Sequence, residues 1–255
     1  MMEAATESKG RLWIIEILLF LVMDFLYMAV STVVLIGFYN LLRRFAGSSD
    51  MFSDWGALLQ VLAFGGGLLV ILVYCRWIEK RKLRTMGFVK NNWWKELLTG
   101  IAVVFLAFTC CILIAALCGG LRIEGINNEF HWYYLILMML CYLVQGSAEE
   151  ILVHGYFMVS FSRKNPLWLS VLISALLFAL MHSNNNGMNM MASVTLVLVS
   201  LLFALFIVKR GNIWIACGFH AMWNFTQGNI YGMSVSGLNE AGRHFSTLPL
   251  QQKTL

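Results

Sequence analysis

The chain has 255 residues, 60% of them hydrophobic and 12% charged, with a net charge of +5 and a mean hydropathy of +0.74. A soluble domain carries about 25% charged residues, so these values exclude an ordinary soluble globular protein. The positive balance is then a matter of where Lys and Arg fall relative to membrane spans, and it gives no sign of a nucleic-acid partner.

Several apolar runs of about 20 residues predict a polytopic all-α membrane helix bundle of about seven or eight transmembrane helices. Leu, Ile, Val, Phe and Met recur without the two-residue alternation of a membrane barrel.

Taken in order, residues 1–10 are polar. A first span over about 12–38 contains Glu16 and Asp24, both read as structural acids facing the bundle or an interface. Lys9 and Arg11 precede it in the manner of a signal peptide, but no small-residue cleavage site interrupts the run, so it reads as a membrane helix. A polar loop over 43–56 leads to a second span over 57–77, whose glycines 65–67 allow close helix approach. Residues 79–96 are the most basic segment. With Trp93 and Trp94 beside Lys95, they suit a juxtamembrane loop at the headgroups.

A third span covers 97–118, and a loop runs to about His131. The fourth, over 132–162, is long enough that it must tilt, kink or emerge, with Gly146 and Gly155 as weak points. Spans over 167–182, 190–208 and 213–231 follow, and the tail is polar. With the N-terminus inside, 13 of the 18 Lys and Arg lie on the inner side, against the sense of Arg43 and Arg44. The six cysteines form no CxxC pair and read as buried small hydrophobes.

The stretch that departs from membrane packing is QGSAEEILVHGY, Gln145 to Tyr156. Adjacent carboxylates in an apolar run are costly unless they are paired or face a polar cavity. On a helix, Glu150 and His154 are four apart and share a face, whereas Glu149 is turned about 100° from Glu150. One glutamate can therefore face a reaction centre while a neighbour holds the other. Two more pieces follow on later spans: Phe178-x-x-x-His182, and His220-x-x-x-Asn224 on one helix face. No Lys or Arg lies inside these spans between their ends, so histidines, amides, a shared proton or a metal must neutralise the acids.

A carboxylate beside an imidazole can activate water, and a His with an Asn can donate to an oxyanion. The set suits hydrolysis of a carbonyl such as a peptide bond. The same side chains could hold Zn²⁺, although no HExxH motif is present. A non-catalytic scaffold and an ion or proton transporter using a Glu/His relay are the alternatives.

Glu149-Glu150-Ile-Leu-Val-His154-Gly155, Phe178-x-x-x-His182 and His220-x-x-x-Asn224, in that order, resemble the three motifs of the CPBP family of intramembrane proteases. This family includes type II CAAX prenyl endopeptidases and bacteriocin-immunity (Abi) proteins. The resemblance covers about 130–235; residues 1–125 are similar only in being apolar helices. It implies an N-terminal helical region over 1–125, a catalytic core over 126–235 and a tail over 236–255.

By the resemblance, Glu149 with His182 activates the water, Glu150 orients the site, and His220 and Asn224 stabilise the oxyanion. Glu149, His182 and His220 are the ligands if a metal is used, with Zn the candidate; members are described both as metalloproteases and as glutamate proteases. The implied partners are the bilayer and a membrane-associated peptide or protein substrate. The implied location is multi-pass, in a bacterial cell membrane. The chain departs from the pattern at His154, where the family usually has Arg, and at Val153, where it usually has Phe. An immunity-type protein of the same fold without catalysis is the variant reading.

Overall fold

The computed structural model describes residues 10–46, 50–123, 132–235 and 250–252. Among these residues are seven α-helical runs, α1 (Trp13–Ala46), α2 (Asp50–Val73, continued by a π turn Tyr74–Ile78), α3 (Trp93–Leu117), α4, α5 (Leu167–Met181), α6 (Met190–Arg210) and α7 (Trp214–Phe225, continued by a π turn Thr226–Ile230), and a short 3-10 helix, Leu83–Met86. The fourth, α4, is α-helical over Trp132–Glu150, π-helical over Ile151–Met158, and α-helical again over Val159–Phe161.

Five runs are long and apolar enough to cross a membrane, and α5, at 15 residues, is shorter. The chain is an integral membrane helix bundle. Phe25, Val33, Leu69, Leu106, Trp168 and Leu205 stand exposed on its outside, a surface suited to lipid rather than water.

Several expectations need correction. Most of the loop expected over 43–56 is helix, because α1 runs on to Ala46 and α2 starts at Asp50; residues 47–49 lie outside the described residues. Arg43 and Arg44 in the last turn of α1 favour that extension, since cations complement the helix C-terminus. Three cysteines are not buried: Cys110, Cys111 and Cys118 are exposed on or just after α3, whereas Cys75, Cys141 and Cys217 are buried. Cys110 lies across the helix from the buried positions Gly100, Val104 and Ile112, whereas Cys111 and Cys118 follow Val104 in seven-residue steps and are exposed toward the far end of α3. The expected tail lies outside the described residues except for β2 (Leu250–Gln252), which pairs antiparallel with β1 (Leu121–Ile123).

The basic segment is not simply a surface loop. Arg81 and Met86 within it are buried. Arg81 donates from Nη2 to the Gly155 carbonyl at 3.2 Å and from Nη1 to Ser160 Oγ at 3.1 Å, both on α4. Glu79, 3.4 Å from Arg81, also accepts from Arg11 at 2.7 Å. Burial works against the Arg11 cation, but this hydrogen bond and the charge of Glu79 hold its pKa above the ordinary guanidinium value. Further along the segment, the Ile213 amide donates to the Gly87 carbonyl at 3.0 Å, and Trp214 Nε1 donates to the Val89 carbonyl at 3.1 Å. One loop thus ties the end of α4 to the start of α7.

The helices meet closely where glycine permits. A Cβ on Gly218 of α7 would overlap the Leu97 carbonyl of α3, and one on Gly100 of α3 would overlap the Ile215 carbonyl of α7. Backbone atoms cannot swing aside as a side chain can, so the crossing depends on both glycines. Gly218→Ala is expected to destabilise the protein by about 1–3 kcal/mol, the cost of overpacking a close-fitted interior. A lowered thermal midpoint of the variant in detergent checks this.

Candidate active site

The α-helical part of α4 ends with Glu149 and Glu150, just before its backbone widens into the π stretch. Both side chains are buried, as are His154, His182, His220 and Asn224. Glu150 sits between two imidazoles: its Oε2 is 2.8 Å from His154 Nδ1 and its Oε1 is 2.9 Å from His220 Nδ1. An ionised carboxylate only accepts, so each Nδ1 facing it carries a hydrogen. The far nitrogen of His154, Nε2, lies 3.2 Å from Ser200 Oγ on α6.

Glu149 faces the other way, as its 100° offset requires. Its Oε1 accepts from Gln145 Nε2, one turn earlier, and Gln145 Oε1 accepts from Asn224 Nδ2 at 2.9 Å. Its Oε2 is buried and has no hydrogen-bond partner among the described residues. Two imidazole nitrogens approach that oxygen: His182 Nε2 at 3.5 Å and His220 Nε2 at 3.7 Å. His182 caps α5, and its Nδ1 lies 2.8 Å from the Phe178 carbonyl, an acceptor, so that Nδ1 also carries the hydrogen. In the neutral form of each ring Nε2 is then the acceptor nitrogen, and both Nε2 atoms face Glu149 Oε2. His220 lies midway along Trp214–Phe225 of α7 and His182 at the end of α5, so the two helices are offset along the bundle to bring them level.

All six side chains singled out in the sequence thus lie in one connected cluster. Residues 131–226 match the family model described as type II CAAX prenyl endopeptidase Rce1-like. That segment is similar to the Rce1-like family. No curated protein and no solved structure matches the chain. The Rce1-like segment spans α4 to α7 almost entire and contains all six side chains, while α1, α2 and α3 lie outside it.

Within the Rce1-like segment, the contact between α4 and α7 depends on Gly146. A Cβ there would lie 2.9 Å from the Ala221 amide nitrogen and 3.3 Å from His220 Cγ. Any larger residue would push His220 away from Glu150. From α6, Phe203 stacks on the His220 ring with centroids 5.6 Å apart. On α5, Phe178 lies 4.7 Å from the His182 ring.

Three contributors were not singled out in the sequence. Gln145 could have been, since it precedes Glu149 by four residues. Ser200 and Phe203 carry no signal in an apolar helix, where a serine usually bonds its own backbone.

The side chains are of the kinds that bind Zn²⁺, and a zinc-bound His commonly has its other nitrogen held by a carboxylate or carbonyl. As placed, however, they do not fit an ion: among the described residues no group of three His, Cys, Asp or Glu is disposed to hold one. Glu149, His182 and His220 stand around a shared space rather than as a closed ligand set.

The two glutamates differ in what they satisfy. Glu150 accepts from two imidazoles, so Glu150→Gln would turn an amide N–H toward an imidazole N–H and cost about 1–3 kcal/mol. Glu149→Gln keeps Oε1 as the acceptor for Gln145 and alters the oxygen that has no partner, so it should cost less. Thermal midpoints of the two variants in detergent should fall in that order.

Proposed function

We propose that the chain is an intramembrane endopeptidase that cleaves peptide bonds of membrane-associated substrates with water activated by Glu149 and His182. The observation that carries this reading is the meeting of Glu149 Oε2, a buried oxygen without a hydrogen-bond partner among the described residues, with the Nε2 atoms of His182 and His220 at 3.5 and 3.7 Å. Three acceptors around one space suit a molecule that supplies hydrogens, and water supplies two.

In this mechanism the water gives a proton to Glu149 as its oxygen attacks the carbonyl carbon. His182, held by the Phe178 carbonyl, fixes the direction of attack. The C–O bond forms and the carbonyl becomes an oxyanion. Glu150 keeps the hydrogen of His220 on Nδ1, so its Nε2 stays an acceptor that helps orient the water, and the donor to the oxyanion comes from one turn further along α7. Asn224 contributes the N–H that Gln145 leaves free. Glu149 returns its proton to the amine nitrogen as the C–N bond breaks, giving a carboxylic acid and an amine.

In a buried site such fixed donors are worth more than in water. His154 occupies the place of the family's usual Arg and does one of the jobs such an Arg could do, donating to Glu150. The Rce1-like segment supports a C-terminally prenylated peptide as the first substrate to try. The motif resemblance, which extends to bacteriocin-immunity proteins, is the ground for placing it in a bacterial cell membrane, where prenylated CAAX proteins are not expected and another membrane-associated peptide is the substrate.

The test is cleavage of a fluorogenic prenylated CAAX peptide, and of proteins in isolated membranes, by wild type and Glu149→Gln. The amide keeps the shape but cannot act as a base, so kcat should fall by about 10²-fold or more. A Glu149→Gln variant that cleaves as fast as wild type refutes the assignment of the base.

A further inference from the structure

The first helix carries a buried hydroxyl at the level of the site. Phe20 of α1 packs edge-on against Phe157 of α4, ring centroids 5.0 Å apart. By the orientation read from the basic residues, α1 and α4 run in opposite directions. Moving one to two turns along α1 from Phe20 therefore reaches the level of Glu149 on α4. Asp24 and Tyr27 stand there, three apart and so on neighbouring positions of one face. The adjoining stretch of α2 links the two helices, since Gly67 faces the Tyr27 ring and Gly65 faces Val144 of α4.

Tyr27 is 1% exposed, and its hydroxyl has no hydrogen-bond partner among the described residues. Its ring is fixed: it lies against Gly67 of α2, where a Cβ would overlap it, and stacks on Phe64 with centroids 5.7 Å apart. A buried hydroxyl left unpaired is destabilising. Phenylalanine would fill the same space without that cost.

We infer that the Tyr27 hydroxyl is a catalytic hydrogen-bond donor to the oxygen of the attacking water at Glu149. The inference rests on the proposed hydrolysis and adds α1, which lies outside the Rce1-like segment, to the machinery. The water oxygen then has four neighbours. Its two hydrogens go to Glu149 and an imidazole Nε2, one lone pair accepts from Tyr27, and the other is left for the carbonyl carbon. The phenol gives up no proton. It holds the oxygen in the one orientation from which attack is direct, which is a positioning contribution to the barrier.

The test is Tyr27→Phe in the full chain, purified in detergent, alone and with Glu149→Gln. On the prenylated CAAX peptide or another substrate that wild type cleaves, kcat of Tyr27→Phe should fall about 10-fold or more, with KM within about twofold, because only the placing of the water is lost. A wild-type kcat in Tyr27→Phe, beside an inactive Glu149→Gln, overturns the inference and leaves the proposed function standing.

Thermal stability gives a readout that needs no cleavage. A hydroxyl engaged at Glu149 makes Tyr27→Phe less stable than wild type, and its effect and that of Glu149→Gln are then non-additive in the double variant. An idle hydroxyl gives a midpoint at or above wild type and additive effects, and that result also overturns the inference.

Discussion

A carboxylate that no water can reach, Glu150, is the constraint on which the rest of the arrangement depends. Alone in a bundle interior it would be untenable, and two imidazole hydrogens make it tolerable. One comes from its own helix four residues on; the other comes from His220, seventy residues later in the chain. Because both oxygens are occupied, both rings are oriented, and the tautomer of His220 follows. What His220 presents to Glu149 is thus decided on the far side of its ring. The logic is that of a serine-protease aspartate behind its histidine, with a carboxylate fixing an imidazole that it does not itself replace.

That contact needs α4 and α7 at close quarters. Gly146 supplies the room on one side of α7, and the glycine crossing with α3 holds its other side. The loop between α2 and α3 then anchors α7 at its start and α4 near its end. The π stretch belongs to the same device. A wider turn directs carbonyls away from the regular ladder, and at Gly155 the buried Arg81 guanidinium accepts that role as donor. A cation that the sequence places among headgroups serves instead as part of the scaffold behind the site.

Much of this was open to a reader of the sequence because it is local. Four-residue spacing alone joins Glu150 to His154 and sets His220 with Asn224 on one face, and the offset of adjacent residues separates the tasks of the two glutamates. The cost of carboxylates in an apolar run marks the site itself. What could not be read is what depends on neighbours far along the chain: that Glu150 and not Glu149 takes the His220 Nδ1, or that Asn224 bonds Gln145. Arg81 was misplaced because a charge between two spans normally reaches water, and its burial is visible only once α4 lies against it. The extra length of α1 was hidden for a related reason, since Arg43 and Arg44 mark a membrane boundary without marking the end of a helix.

The glycine crossing of α3 with α7 has a consequence for how the molecule could be divided. The family likeness begins at residue 131, after α3 has ended. Yet α7, which carries His220 and Asn224, meets α3 backbone to backbone at Gly218 and Gly100. A fragment cut at the edge of the likeness would leave that face of α7 bare, with nothing else shaped to approach so near. The stretch that can be picked out by its residues is therefore shorter than the stretch that must be synthesised for it to stand, and a transplant of the motifs into another bundle would have to carry α3 with them.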